Sequence, residues 1–353
     1  MDKKLENEGE VVSVKTKANQ NKLVEFIKKY PILLVLIAFI IFASIVSEKF
    51  LTADNILNVL RQVATNGLIS IGMTYVILTG GIDISVGSVV GLSSILFAGC
   101  FQPSGLAGPF SGIMGAVNKI MPGGVGSLIV AALFVLIICG LLGFLNGLGV
   151  SKGKMPAFVM TMSTQVIIMG LALVVCDAKP LFLDQEYRAQ INWLGSGRVL
   201  NIPNPVIVLV IACAVFIFIL NKTVFGRYVR AIGGNAEAAR VAGINVGKYQ
   251  AITYIIPAVM AGLAGILISC RTATGEPLLG DGYELDAIAA TVIGGTALEG
   301  GVGNLVGTVF GVLIIGIINN VMNLMNVSPY FQYIIKGLFI FVAVLIRTDR
   351  KKK

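Results

Sequence analysis

The sequence predicts an all-α membrane protein of about ten transmembrane helices, with inverted repeats and helices broken within the bilayer. Three observations carry this: the composition, a series of apolar stretches of bilayer length, and a glycine-broken apolar segment with an echo later in the chain. Hydrophobic residues make up 56% of the 353 positions, 42 more are glycine, and only 13% are charged, about half the ~25% usual in soluble domains. So few charges cannot cover the surface of a soluble protein this long.

A helical crossing needs ~20 largely apolar residues. Seven stretches qualify directly: Tyr30–Ser47, Gly126–Val150, Met155–Cys176, Pro205–Leu220, Gln250–Cys270, Leu305–Met325 and Pro329–Ile346. The segment Gly67–Phe101 is too long for one crossing and is interrupted by Thr79-Gly80-Gly81-Ile82-Asp83-Ile84-Ser85. Counting it as two spans, and Leu285–Ile293 as one short span, makes ten. Both tails, the loop Ser151–Lys154 and the basic loop Asn221–Lys248 then share one side. Nineteen basic residues fall there against seven opposite, which satisfies the positive-inside rule and sets that side as cytoplasmic. Residues Phe50–Ala64 fit a separate external amphipathic helix, with Ile56, Val59, Leu60 and Val63 on its apolar face. The expected organisation is a cytoplasmic tail over residues 1–29, a membrane domain over 30–346 and a basic cytoplasmic tail over 347–353.

Val86-Gly87-Ser88-Val89-Val90-Gly91 resembles Val302-Gly303-Asn304-Leu305-Val306-Gly307. Each follows a Gly-Gly pair, with Asp83 near the first copy and Glu299 near the second. Assigned to the third and eighth spans, the copies would have opposite orientations, as in transporters built from inverted repeats. The alternative is ordinary glycine-mediated helix packing.

The counts also exclude chemistry. With no histidine, His-dependent triads, zinc sites and general bases are absent. The five cysteines lie in or beside apolar stretches without CxxC spacing. No P-loop occurs; Gly247-Lys248 is followed by Tyr249, with Ala242 where the first glycine belongs. The net charge of +9 concentrates in tails and short loops, a topology signal and not a nucleic-acid face. No catalytic residue, cofactor or metal is expected.

Candidate functional residues fall into two groups. Asp83 is the lone charge between Gln62 and Asn118, at a cost of at least ~2.5–3.5 kcal/mol if it lies at membrane depth. Gly80, Gly81 and Ser85 suit irregular backbone lining a path or gate; the competing reading has Asp83 capping the third span. Lys336 is the one base within the last span and either snorkels or pairs inside the bundle. Asn319, Asn320 and Asn323 offer interhelical hydrogen bonds or, for the first two, a lining for the path. The second group is cytoplasmic: Asn235 as N-cap, Glu237 in the first turn, Arg240 in the last and Gly243 at C′ predict a two-turn helix, Ala236–Ala242. Its small residues, Ala238 and Ala239 among them, allow another protein to approach closely. Two turns are not stable alone, so this helix needs a surface to pack on.

From about residue 30 onward the chain resembles the permease subunits of bacterial ATP-binding-cassette importers for monosaccharides such as ribose, galactose and xylose. The resemblance rests on Thr79–Gly87, Ala231–Asn245, Gly282–Ala290, Gly294-Gly295 and Pro329–Gly337, with Ile84 where the family carries Leu. It implies the importer permease fold and a second permease copy as partner. It also implies separate ATPase subunits, and a periplasmic or lipid-anchored sugar-binding protein outside. The resemblance also implies that the loop 221–248 holds the coupling element, since Ala231–Asn245 looks like the family's coupling loop, its Gly-x-Asn-x-x-Ala-Ala pattern falling on Gly233 (or Gly234), Asn235, Ala238 and Ala239. The expected location is the bacterial inner membrane, within its lipid. The alternatives are an ion-coupled secondary transporter using Asp83, Glu299 or Lys336, and a related permease for branched-chain amino acids.

Overall fold

The computed structural model describes residues 31–120, 124–183 and 185–349; the two expected tails lie largely outside these. Among the described residues helices dominate: α1 (Ile32–Val46), α2 (Ala53–Leu78), α3 (Val86–Phe101), α4 (Pro109–Lys119), α5 (Gly124–Ser151), α6 (Ala157–Val175), α7 (Gln185–Ser196), α8 (Asn204–Lys222), α9 (Val224–Gly234), α10 (Ala236–Val241), α11 (Val246–Thr272), α12 (Tyr283–Ile293), α13 (Leu305–Leu324) and α14 (Pro329–Asp349). Four two-residue strands, β1 (Leu181–Phe182), β2 (Arg198–Val199), β3 (Ile202–Pro203) and β4 (Thr274–Gly275), form two antiparallel pairs, β1 with β4 and β2 with β3. Each of the ten expected spans coincides with a helix. Among the described residues five helices (α5, α6, α8, α11 and α13) are long and apolar enough to cross a membrane by themselves, and α1 and α3 are shorter apolar helices.

Burial sorts them. α11 and α13 are mostly enclosed, whereas α5, α6 and α8 are mostly uncovered and present residues such as Ile137, Ile167 and Phe218 outward. Apolar side chains on an outer face are what lipid requires. Every residue of α3 is buried. The centre is closed by backbone approach: Gly72 of α2 lies against Pro257, inside α11, where no Cβ would fit. Thr74 and Thr308 hydroxyls meet at 2.9 Å between α2 and α13. The Tyr75 hydroxyl donates to Phe216 O at 2.6 Å, tying α8 to the same core.

Two expectations change. No separate amphipathic helix covers Phe50–Ala64: from Ala53 the backbone continues unbroken to Leu78, because nothing between Ala64 and Gly67 stops it. Val59 and Val63 are buried along α2, but Ile56 stays exposed. The second hexapeptide opens α13, with Asn304 as N-cap, which is the ninth expected span and not the eighth. Spans three and nine would run in the same direction. The glycines of both copies serve close packing instead: Gly87 and Gly91 admit the backbone of Gly280 and Pro277, and Gly307 admits Gly294. The five-span offset is found elsewhere. α2 leads through a broken stretch into α3, and α11 through another into the short α12, at spans two–three and seven–eight. Each break opens with left-handed backbone, Gly80 (φ +78°) and Ala273 (φ +53°). That pairing is the arrangement expected of inverted repeats.

Candidate functional site

The first break places Asp83 in the interior with no exposed surface. Its Oδ1 accepts from the Ser85 amide at 3.0 Å and from Ser85 Oγ at 2.6 Å. This is an Asx-type turn ahead of α3, whose N-cap is Ser85 itself; the expectation of Asp83 as the cap is corrected accordingly. Ser85 Oγ in turn accepts from Asn146 Nδ2 of α5 at 2.9 Å, and Thr161 of α6 donates to Ile82 O at 3.2 Å. Gly81 lies against the Tyr254 hydroxyl of α11. Three helices thus hold seven residues of irregular backbone. Among the described residues, Asp83 Oδ2, Asn146 Oδ1 and Tyr254 OH are buried without a further hydrogen-bond partner, and buried water is the ordinary partner of such groups. Asn146 and Tyr254 were not legible as members. The one available signal was that a lone buried acid demands donors from elsewhere in the chain.

The second break brings together residues that the sequence left scattered. After β4 the chain runs back along α3: Ser94 Oγ donates to Glu276 O at 2.9 Å and accepts from its amide at 3.0 Å. α12 then starts inside the protein with Glu284 and Asp286 buried in its first turn. Carboxylates there are favoured by the positive end of the helix. Asp286 Oδ2 accepts from Lys336 Nζ of α14 at 3.0 Å and from Asn319 Nδ2 of α13 at 3.1 Å. Lys336 therefore pairs inside the bundle. Asn319 joins this cluster, while Asn320 does something different: it exchanges two hydrogen bonds with Asn55 at the start of α2, at 2.8 and 3.0 Å. Asn320 locks two helices, and nothing brings it to Asp83.

The cytoplasmic segment folds as its residues dictate. Asn235 Oδ1 accepts from the Ala238 amide at 3.0 Å and caps α10. Gly243 takes the left-handed conformation (φ +84°). The Ile244 amide donates to Ala239 O and the Gly243 amide to Arg240 O, both at 3.0 Å, a complete Schellman closure. The helix ends one residue earlier than expected, at Val241. Gly234, Asn235, Glu237, Ala238 and Gly243 are exposed, Gly233 is half-buried, and Ala239 is buried with Ile232 and Val246. The Glu237–Arg240 pair, at 2.6 Å, is solvent-facing on both sides and contributes little stability. What remains outward is Ala236, Ala238 and Val241 together with the Glu237–Arg240 pair, on a helix closed at both ends.

Comparison with known proteins decides the family. The family described as a branched-chain amino acid transport system / permease component matches residues 55–344. The chain belongs to this permease family. It is 43% identical over 314 residues to the ribose import permease protein of Bacillus subtilis (strain 168), covering 89% of this chain and 90% of that one. Identity to the Escherichia coli (strain K12) ribose import permease protein is 39% over 322 residues, with 91% and 92% covered. Identity to the L-arabinose transport system permease protein of the same organism is 32% over 328 residues, with 92% and 91% covered. No solved structure matches the chain. The permease is a multi-pass membrane protein, and its ten-helix plan with broken helices is that of a transporter.

Proposed function

We propose that this permease is the translocating subunit of an ATP-driven, binding-protein-dependent importer that carries a monosaccharide of the ribose type by alternating access. The observation that carries the reading is α10: a short helix capped at both ends that packs through Ala239 and leaves Ala236, Ala238, Val241 and the Glu237–Arg240 pair exposed for a partner. A secondary transporter driven by an ion gradient has no need of such a docking element. Sugar is favoured over a branched-chain amino acid because the ribose permeases match at 39–43% identity across nearly the whole chain.

In this reading two copies share a path, ATPase subunits dock on the loop 221–248, and a sugar-binding protein delivers from outside. ATP hydrolysis belongs to the separate subunit. Both tails face the cytoplasm of a bacterium, by the charge parity of the loops. Gly80, Gly81, Asp83 and Ser85 form the gate, with Asn319 farther along the path. The permease need not hold sugar tightly, since a deep well would slow release.

Reconstituted with its ATPase and binding protein in proteoliposomes, the permease is expected to take up ribose only when ATP and both partners are present. Excess leucine should not compete. Uptake driven by an ion gradient without ATP would overturn the reading. Asp83→Asn tests the gate within it. The amide keeps an oxygen for the Ser85 bonds and removes the charge. Insertion should be normal and uptake should fall about tenfold, equivalent to ~1.4 kcal/mol at the barrier. Parent-like uptake would reduce Asp83 to a turn residue.

A further inference from the structure

Three turns distant in sequence meet backbone to backbone at Gly233. One is the end of α9. The second is the turn that follows α2, where Leu78 O accepts from the Gly301 amide at 2.9 Å. The third is the turn that joins α12 to α13 and contains Gly300 and Gly301. At Gly233 a Cβ would overlap Leu78 O and the Gly301 amide nitrogen. At Gly300 it would lie 2.8 Å from Gly80 N and 3.0 Å from Gly233 Cα, and at Gly301 2.9 Å from Gly234 Cα. The Gly80 Cβ position is 3.3 Å from Glu299 O. The end of α9 is thus wedged between the break that leads to Asp83 and the turn that links the helices of Asp286 and Asn319.

On its other side the end of α9 is bound to the docking helix. Ile232, Ala239 and Val246 form one buried cluster, with Ile244 and Tyr249 packed against it. The Asn235 amide donates to Ala231 O at 3.0 Å while its side chain caps α10, so α9's end and α10 form one packed unit. Contacts made by backbone have no side-chain rotamers in which to absorb a displacement, and close-packed interiors pass strain on.

We propose that Gly233 is the positioning residue through which movement of α10 is delivered at once to the first break, which leads to Asp83, and to the turn between α12 and α13. Its part in the coupling pattern is to face inward, against Leu78 and Gly301, while Gly234 faces outward with nothing within 4 Å of its Cβ position. This rests on the reading of α10 as the ATPase docking helix.

The test compares Gly233→Ala with Gly247→Ala in the complex reconstituted with ATPase and binding protein. Gly247 is also helical, with only Asn245 Oδ1 and Ser151 Cβ at 4.0 Å from its Cβ position. Alanine favours helix over glycine at both positions, so the intended difference is the wedge. Gly233→Ala is expected to co-purify with the ATPase while sugar moved per ATP hydrolysed falls about tenfold, inside the ~5–150-fold range of ordinary coupling. Gly247→Ala should keep the parent ratio. A parent ratio in Gly233→Ala, or loss in Gly234→Ala with none in Gly233→Ala, overturns the proposal.

Gly243→Val separates this from the docking reading. If it binds ATPase and transports like the parent, docking at α10 fails. If it uncouples and Gly233→Ala does not, only the wedge fails. Should Gly233→Ala not accumulate, hydrogen exchange of the parent complex decides. Peptides covering residues 297–303 should change protection when the ATPase is trapped with nucleotide, and unchanged protection overturns the proposal.

Discussion

Lys336→Met should strongly lower both the heat stability and the membrane accumulation of the permease, and Asp286→Asn should lower them less. The asymmetry follows from exposure: the Asp286 side chain is 4% exposed and that of Lys336 is 23%. Removing the lysine leaves a carboxylate enclosed among helices with Asn319 as its remaining side-chain donor. Breaking a buried pair from one side costs roughly 3–5 kcal/mol, because the charge left behind is uncompensated. Removing the carboxylate leaves a long flexible ammonium that can turn its head toward water or headgroups. The double variant Asp286→Asn with Lys336→Met should recover most of the loss, since two neutral groups leave no stranded charge. Fluorescence-monitored melting of the detergent-solubilised protein reads all three. Equal losses in the two single variants, or additive loss in the double, would mean that the bridge is not what holds α14 to α12.

Gly243→Val should leave expression near the parent level and remove coupling to the ATPase. At φ +84° a β-branched residue is a steric outlier, at a local cost of ~1–2 kcal/mol. Nothing lies within 4 Å of its Cβ position, so the effect is conformational and not a clash with a neighbour. The residue either distorts the Schellman closure or unwinds the last turn of α10. For a protein held by ten helices this is minor. For a six-residue helix that must present one shape to a partner it is decisive. Sugar-stimulated ATP hydrolysis and ATPase co-purification are the measurements. Gly247→Val, within α11 and free of close contacts, should be clearly milder. Equal behaviour of the two variants would return Gly243 to an ordinary loop position.

What the sequence determined by itself is local or cumulative. Membrane residence follows from composition, and seven of the ten spans follow directly from length and hydropathy, while charge parity resolves Gly67–Phe101 into two and Leu285–Ile293 is counted as one short span. The cap at Asn235 and the left-handed turn at Gly243 were legible because their partners lie within five residues, at spacings that helix geometry imposes. Only the tertiary structure decided which helix faces meet. Asn55 with Asn320, Asp286 with Lys336, Ser85 with Asn146 and Gly233 with Leu78 and Gly301 are all long-range. In a soluble helix the polar face marks the outside and so orients the rest. In a membrane helix lipid is as apolar as the core, so an apolar stripe does not tell the lipid side from the packed side. The same loss of contrast hid the continuity of α2 through Ala64. The repeat at Val302–Gly307 misled differently: it opens the ninth span of the sequence count, and the five-span offset lies in the backbone of two broken helix pairs and not in matching side chains.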